Sequence, residues 1–134
     1  MKLALIGTGK TGGAFAALAG KAHEVNLYSR SAPCTAADLA RADAIVVFVP
    51  AEGLSELMPL LLQAAKPVVS GTTGFNYAEL DAPTSPWIVA SNFSIGMNAT
   101  FLLAKMLGRL TALSPAEFHV HEVHHVTKKD APSG

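Results

Sequence analysis

The sequence contains a single cysteine, Cys34, so an internal disulfide is excluded and a reducing compartment, the cytoplasm, is expected. It lacks an excess of charge, since ten Lys and Arg residues balance ten Asp and Glu residues, which argues against nucleic-acid and acidic-membrane partners. The longest apolar segment, 94–113, carries Lys105 and Arg109, so no bilayer-spanning helix is expected. What is present is a chain of 134 residues, half of them hydrophobic, which is enough for a core.

Short apolar runs alternate with helical patterns along the chain. The pattern predicts strands over 3–6, 24–28, 44–49, 67–69 and 87–90, and helices over 12–21, 35–40, 54–65 and 94–110. Thr35 with Asp38 predicts a capping box, and Ser94 an N-cap. Strands rich in Val, Ile and Leu that alternate with helices are typical of a parallel sheet covered on both faces. We therefore predict an α/β fold, a Rossmann-like doubly wound sheet.

Two parts are predicted along the chain. Residues 1–92 are predicted to form a dinucleotide-binding domain. After Ser114 and Pro115 the pattern changes to one typical of an extended strand, with Phe118 and Val120 on one face and His119 and His121 on the other. Residues 93–134 are predicted to begin a second structural unit.

A glycine loop opens the first helical segment. Gly7-Thr8-Gly9-Lys10-Thr11-Gly12 has the G-x-G-x-x-G spacing, which permits a tight turn and a close approach of backbone to a pyrophosphate. Its position between a predicted strand and a predicted helix favours dinucleotide binding over an ordinary turn. The spacing of a P-loop is not present.

The end of the second predicted strand bears on the choice of cofactor. NAD-selective proteins of this fold place an acidic residue there for the ribose 2′-hydroxyl, whereas this chain has Tyr28-Ser29-Arg30. A hydroxyl and a guanidinium suit a 2′-phosphate, so we predict that NADPH is preferred and that NADH is possible. The alternative is that Arg30 is a solvated surface residue.

Two further loops follow predicted strands. In doubly wound sheets, ligands bind at the loops that follow the carboxyl ends of the strands. Gly71-Thr72-Thr73-Gly74 offers hydroxyls and close backbone approach to a nicotinamide ribose or carboxamide, or is only a turn. Ala90-Ser91-Asn92-Phe93 offers an amide and a ring, although Phe93 also suits a core.

The segment 122–134 carries the groups best suited to catalysis. An imidazole at His124 suits proton transfer near neutral pH, and Lys128, four residues later, supplies a cation for developing negative charge. Pro132-Ser133-Gly134 predicts a turn able to receive an anion. The alternatives are an exposed strand and turn, or a metal site formed by the histidines. No cysteine or closely spaced carboxylate completes a familiar ligand set, so no metal is expected.

Taken in order, the glycine loop, Gly71-Thr72-Thr73-Gly74, Ser91-Asn92-Phe93-Ser94 and the His-His pair followed by Lys128 and Asp-Ala-Pro-Ser-Gly resemble dihydrodipicolinate reductase, also called 4-hydroxy-tetrahydrodipicolinate reductase. The resemblance implies NAD(P)H-dependent reduction of a cyclic imine dicarboxylate to tetrahydrodipicolinate in lysine and diaminopimelate biosynthesis, by a cytoplasmic homotetramer.

The resemblance implies that residues 93–134 begin an α+β domain for substrate binding and oligomerisation. It also implies roles for particular residues. His124 matches the catalytic acid/base and Lys128 the assisting cation, while His125, Ser133 and Gly134 fall at or beside substrate-contacting positions. Gly71, Thr72 and Thr73, with Ala90, Ser91, Asn92 and Phe93, match the contacts on the nicotinamide side.

The chain also departs from the family. It is shorter than family members and lacks a threonine after Gly134, so we expect it to be the front portion of such an enzyme. It has Val47-Phe48-Val49-Pro50 where the family has Asp-Phe-Thr or similar. The alternatives are a truncated, non-catalytic NADPH-binding module, a metal-binding protein and another small-molecule dehydrogenase.

Overall fold

The structure, a computed structural model, describes residues 1–79, 83–110, 112, 117, 119, 121 and 123. Its strands are β1 (Lys2–Ile6), β2 (Glu24–Tyr28), β3 (Ala44–Val47), β4 (Val68–Ser70) and β5 (Trp87–Val89). Its α-helices are α1 (Lys10–Ala19), α2 (Ala36–Ala40), α3 (Ala51–Ala64) and α4 (Ile95–Leu110), and a short 3-10 helix covers Tyr77–Glu79. The order of strands and helices is the predicted one.

The five strands form one sheet in the order β2-β1-β3-β4-β5, and each neighbouring pair is parallel. The chain therefore moves from β1 to β2 in one direction and from β2 to β3 in the other. Right-handed crossovers then place α1 on one face of the sheet and α2 and α3 on the opposite face. The predicted Rossmann-like doubly wound sheet is confirmed.

The core lies between the sheet and the helices α2 and α3. Ala4 and Ile6 of β1 point to the same face as Ile45 and Val47 of β3, where Leu54 of α3 packs against them. Leu3 and Leu5 on the other face of β1 are also buried. Burial on both faces is the reason the central strands consist of uninterrupted apolar residues.

Local capping explains where two of the helices begin. The Thr35 hydroxyl accepts a hydrogen bond from the Asp38 amide, and the Asp38 carboxylate accepts one from the Thr35 amide, which is the predicted capping box. The side-chain hydrogen bond from Thr35 lowers the pKa of Asp38. The Ser94 hydroxyl accepts from the Met97 amide at 3.4 Å, as expected for the N-cap of α4.

The chain separates into two compact units, Met1–Ser91 and Asn92–Gly134. Within the second unit the structure describes α4, which has no buried residue. The structure also describes four single residues there, and none of them is in a strand, although the sequence predicted an extended strand after Pro115. These residues are Glu117, His119, His121 and Val123. Among the helices that the structure describes, none has the length and apolarity needed to cross a membrane. The domain prediction, 1–92 and 93–134 with their two roles, stays a prediction.

Candidate dinucleotide site

The first glycine of the loop is fixed against the end of β3. Gly7 has a φ of +99°, which favours glycine, and a Cβ at this position would overlap the Phe48 carbonyl oxygen. The Gly7 amide donates to the Tyr28 carbonyl at 2.9 Å, so the turn is also tied to β2. The backbone therefore leaves β1 in a tight turn that a larger residue would not permit.

The third glycine closes α1 onto this turn. A Cβ on Gly12 would overlap the Gly7 carbonyl oxygen, and Gly12 is the buried residue of α1. The helix begins before Gly12, at Lys10, because the Gly13 amide already donates to the Gly9 carbonyl at 2.7 Å. The predicted helix start at residue 12 is therefore two residues late.

The second glycine is different from the other two, because nothing lies within 4 Å of the position that a Cβ on Gly9 would take. Gly9 is the N-cap of α1 and has no side chain with which to cap the first turn. That turn contains Lys10 and no acidic residue. Amides at a helix start, with open space beside them and without a carboxylate, are suited to bind a phosphate.

A cavity of about 560 Å³ begins at this loop. It lies at the carboxyl ends of β1 and β3, where the chain's direction across the sheet reverses, and this is the position at which doubly wound folds bind ligands. The volume is in the range of small-molecule sites. Its walls are formed by residues 6–9, 29–30, 33–34, 48–50, 53, 56 and 57.

Arg30 lines this cavity and is exposed. It lies in a turn closed by two backbone hydrogen bonds between Ser29 and Ala32. The Ser29 hydroxyl is engaged within the turn, because it accepts from the Ala32 amide at 3.2 Å and lies 3.0 Å from the Ser31 hydroxyl. Ser29 thus shapes the turn, and Arg30 is the cationic group that the turn presents to the cavity.

Several residues that line the cavity were not predicted from the sequence. Cys34 and Glu56 line it, as do Phe48, Val49 and Pro50, which had been noted only as a departure from a family pattern. Burial, with a smaller contribution from the charge of Asp38, raises the pKa of the Cys34 thiol. The loop after β3 could have been identified from its place at the carboxyl edge of the sheet. Cys34 and Glu56 carried no comparable signal.

The two threonines of the loop 71–74 have different environments. Thr72 is buried, and its hydroxyl donates to the Val49 carbonyl at 2.9 Å, so this side chain joins the loops that follow β3 and β4. Thr73 is exposed. The Gly71 amide donates to the Val47 carbonyl at 3.0 Å, and Gly74 has a φ of +76°. Of the two hydroxyls, that of Thr73 is the accessible one.

The residues 90–93 fall in both units. In the first unit, the Ala90 amide donates to the Ser70 carbonyl, which continues the pairing of β4 with β5 towards Ser91. In the second unit, the Asn92 side-chain oxygen accepts from the Ser94 amide at 2.8 Å, and the Asn98 amide group donates to the Asn92 carbonyl. Phe93 is exposed.

The predicted catalytic residues His124 and Lys128, and the predicted substrate residues His125, Ser133 and Gly134, lie outside the described residues. Of the histidine cluster, His119 and His121 are described, and both are exposed. Within the described part of the chain, no group of three or more potential ligand side chains that could hold a metal ion was found.

Comparison with known proteins found related reductases. A reductase from Pseudoalteromonas atlantica, named 4-hydroxy-tetrahydrodipicolinate reductase, is 39% identical over 103 residues, which are 73% of this chain and 38% of that protein. The protein of the same name from Saccharophagus degradans is 49% identical over 74 residues, or 52% of this chain and 27% of that protein. The one from Syntrophus aciditrophicus is 36% identical over 101 residues, which are 72% of this chain and 37% of that protein.

The predicted resemblance to 4-hydroxy-tetrahydrodipicolinate reductases is confirmed. The chain spans between 27% and 38% of the length of these three relatives. No family model matches the chain. Among solved structures, that of RSP in complex with beta-NADH has a TM-score of 0.53 and 12% identity, and the match covers 84% of this chain and 61% of that one. This likeness supports the Rossmann-like fold.

Proposed function

We propose that this chain binds NADPH through the Gly7–Gly12 loop and serves in a 4-hydroxy-tetrahydrodipicolinate reductase. The observation that carries the proposal is the division of roles among the three glycines. Gly7 and Gly12 are held against backbone oxygens, whereas Gly9 faces open space at the start of α1. An ordinary turn has no need of the open second position, but a pyrophosphate does. The related reductases support the choice of family.

The residues present fit a dinucleotide. The amides of the first turn of α1 would hold the pyrophosphate, and the cavity between the ends of β1 and β3 would hold the adenosine. Arg30 would pair with a 2′-phosphate, which makes NADPH the preferred cofactor and NADH a possible one. Gly71, Thr72 and Thr73 would contact the nicotinamide side. The resemblance adds Ala90, Ser91, Asn92 and Phe93 to that side.

The proposed chemistry is reduction of a carbon–carbon double bond in a cyclic, unsaturated imine dicarboxylate. The chemistry that bound NADPH supplies is donation of a hydride. His124 would deliver a proton to the carbon next to the reduced one, and Lys128 would stabilise the negative charge that develops. His125, Ser133 and Gly134 would hold the substrate. These five residues are proposed from the resemblance, and so are action in lysine biosynthesis, assembly as a homotetramer and location in the cytoplasm.

The proposal is tested first by titration. Reduced nicotinamide fluorescence is measured while the protein is added to NADPH and, separately, to NADH, and saturable binding with tighter binding of NADPH is expected. Failure to bind either cofactor would contradict the proposal.

A second measurement tests the reaction. Oxidation of NADPH that depends on the imine, and that is lost in His124→Gln while NADPH still binds, is expected. Binding without oxidation would show a nucleotide-binding module that does not catalyse the reaction. Loss of oxidation on addition of a chelator would instead favour a metal-dependent protein.

A further inference from the structure

The loop after β4 is closed by a group of hydroxyls that the sequence did not single out. The Tyr77 hydroxyl lies 2.7 Å from the Ser70 hydroxyl and 3.3 Å from the Thr72 carbonyl. The Thr72 amide donates to the Ser70 hydroxyl at 3.4 Å. Two side chains that flank residues 71–74 therefore bond to each other and to both backbone groups of Thr72.

The acceptors fix the direction of these hydrogen bonds. A carbonyl accepts only, so the Tyr77 hydroxyl donates to Thr72 and accepts from Ser70. The Ser70 hydroxyl in turn accepts from the Thr72 amide. Each hydroxyl then has one donor and one acceptor role within the group, and hydrogen bonds arranged in this way strengthen one another.

Most of this group is buried, so its polar atoms need hydrogen-bond partners. Ser70 is fully buried and Thr72 nearly so, and a buried polar group without a partner is unfavourable. The Tyr77 ring is half-buried and meets the ring of Phe75 edge-on, with 4.9 Å between centroids. The ring packing holds the tyrosine in place, and its hydroxyl restrains the Thr72 backbone.

The order of strands indicates which end of a dinucleotide this loop would meet. Arg30 follows β2, Gly9 follows β1, the cavity residues 48–50 follow β3, and residues 71–74 follow β4. Neighbouring strands lie about 4.8 Å apart, so the ends of β2 and β4 are about 14 Å apart along this edge. A dinucleotide with its adenosine phosphate at Arg30 and its pyrophosphate at Gly9 extends towards residues 71–74 with its nicotinamide end.

We infer that Ser70 and Tyr77 are positioning residues that hold the loop 71–74 in the conformation that presents Thr73 to the nicotinamide half of the cofactor. The inference rests on the proposed dinucleotide binding. Neither residue would contact the cofactor, because Ser70 is fully buried and the Tyr77 hydroxyl is bonded to Ser70 and Thr72. Their effect passes through Thr72, whose backbone they hold and whose hydroxyl is bonded to the Val49 carbonyl.

The test compares the affinity for the whole cofactor with the affinity for its adenosine half. Affinities for NADPH and for adenosine 2′,5′-bisphosphate, which has no nicotinamide, are measured for the wild-type chain, Tyr77→Phe and Ser70→Ala. Each variant loses hydroxyl hydrogen bonds only, so NADPH affinity should fall about three- to tenfold, while affinity for the bisphosphate stays within about twofold. The change in nicotinamide fluorescence on binding should also decrease. Ser85→Ala, which removes a hydroxyl that donates to the Lys66 carbonyl at 2.8 Å beside the amino ends of β4 and β5, should leave both affinities unchanged.

The failures are distinguishable. If the wild-type chain binds neither ligand, the proposed function fails and the inference with it. If it binds both, but Tyr77→Phe and Ser70→Ala bind NADPH as tightly as wild type does, the inference alone is wrong. Equal weakening of both ligands would show a general loss of structure and would also overturn it. Ser70→Ala provides the same test should Tyr77→Phe fail to fold.

Discussion

The carbonyl oxygen of Gly7 occupies the place that a side-chain carbon on Gly12 would need. This contact joins the turn after β1 to the first turn of α1, and it sets the direction in which the helix start faces. Gly7 itself is held against the Phe48 carbonyl at the end of β3. Close backbone packing therefore contributes to the orientation of the amides at the start of α1.

Gly12→Ala is expected to destabilise the fold. The added carbon would force α1 away from the turn, at a cost of about 1–3 kcal/mol, as for other overpacked positions. Thermal or urea unfolding measures the loss. Gly13→Ala is the matched control, because its Cβ would lie 3.8 Å from the Thr8 carbonyl oxygen, an ordinary contact distance, and alanine is the better helix former. Equal stability of the two variants would contradict the packing role of Gly12.

Gly9→Ala is expected to do the opposite, leaving the fold intact and weakening cofactor binding. Its φ of −67° suits alanine, and the new methyl group would enter open space. That space is where the pyrophosphate would lie, so the Kd for NADPH should rise about tenfold or more for a methyl that blocks close backbone approach. Unfolding and NADPH titration on the same preparation separate the two effects. Unchanged affinity would place the phosphate elsewhere.

Arg30→Ala is expected to reduce the preference for NADPH. Loss of a charge-assisted hydrogen bond to a 2′-phosphate at an exposed position should raise the Kd for NADPH about tenfold and leave that for NADH nearly constant. Arg41→Ala is the control, since Arg41 is 77% exposed and pairs with Asp38 outside this cavity. A wild-type chain that prefers NADH would refute the role of Arg30.

Cys34 offers a chemical probe of the cavity. Burial raises the pKa of its thiol, so alkylation by iodoacetamide should be slow at neutral pH and should quicken as the pH rises through and beyond the ordinary thiol range. Because Cys34 lines the cavity, saturating NADPH should slow the reaction several-fold at a fixed pH. Mass spectrometry of the single cysteine follows the modification. The same rate with and without NADPH, under conditions where NADPH binds, would place the adenosine outside this cavity.

Much of the fold could be predicted because its signals are local. The central strands are buried on both faces and so consist of apolar residues, and Thr35 and Ser94 cap helices through bonds to residues three positions away. The predicted ends of strands and helices were less accurate where contacts with distant segments of the chain determine them. The third strand was predicted to reach residue 49 but ends at Val47, where the Gly71 amide bonds to it, and Val49 is already engaged by Thr72.

The sequence alone determined the alternation of strands and helices, the glycine loop and the absence of a carboxylate after β2, because each is a property of consecutive residues. Only the tertiary structure decided which glycine faces open space, which of two adjacent threonines is accessible, and that Cys34 and Glu56 line the same cavity as Arg30. Those properties depend on contacts between loops that lie far apart in the chain. Val49 and Thr72 are 23 positions apart in the chain, and no sequence pattern specifies the hydrogen bond that joins them.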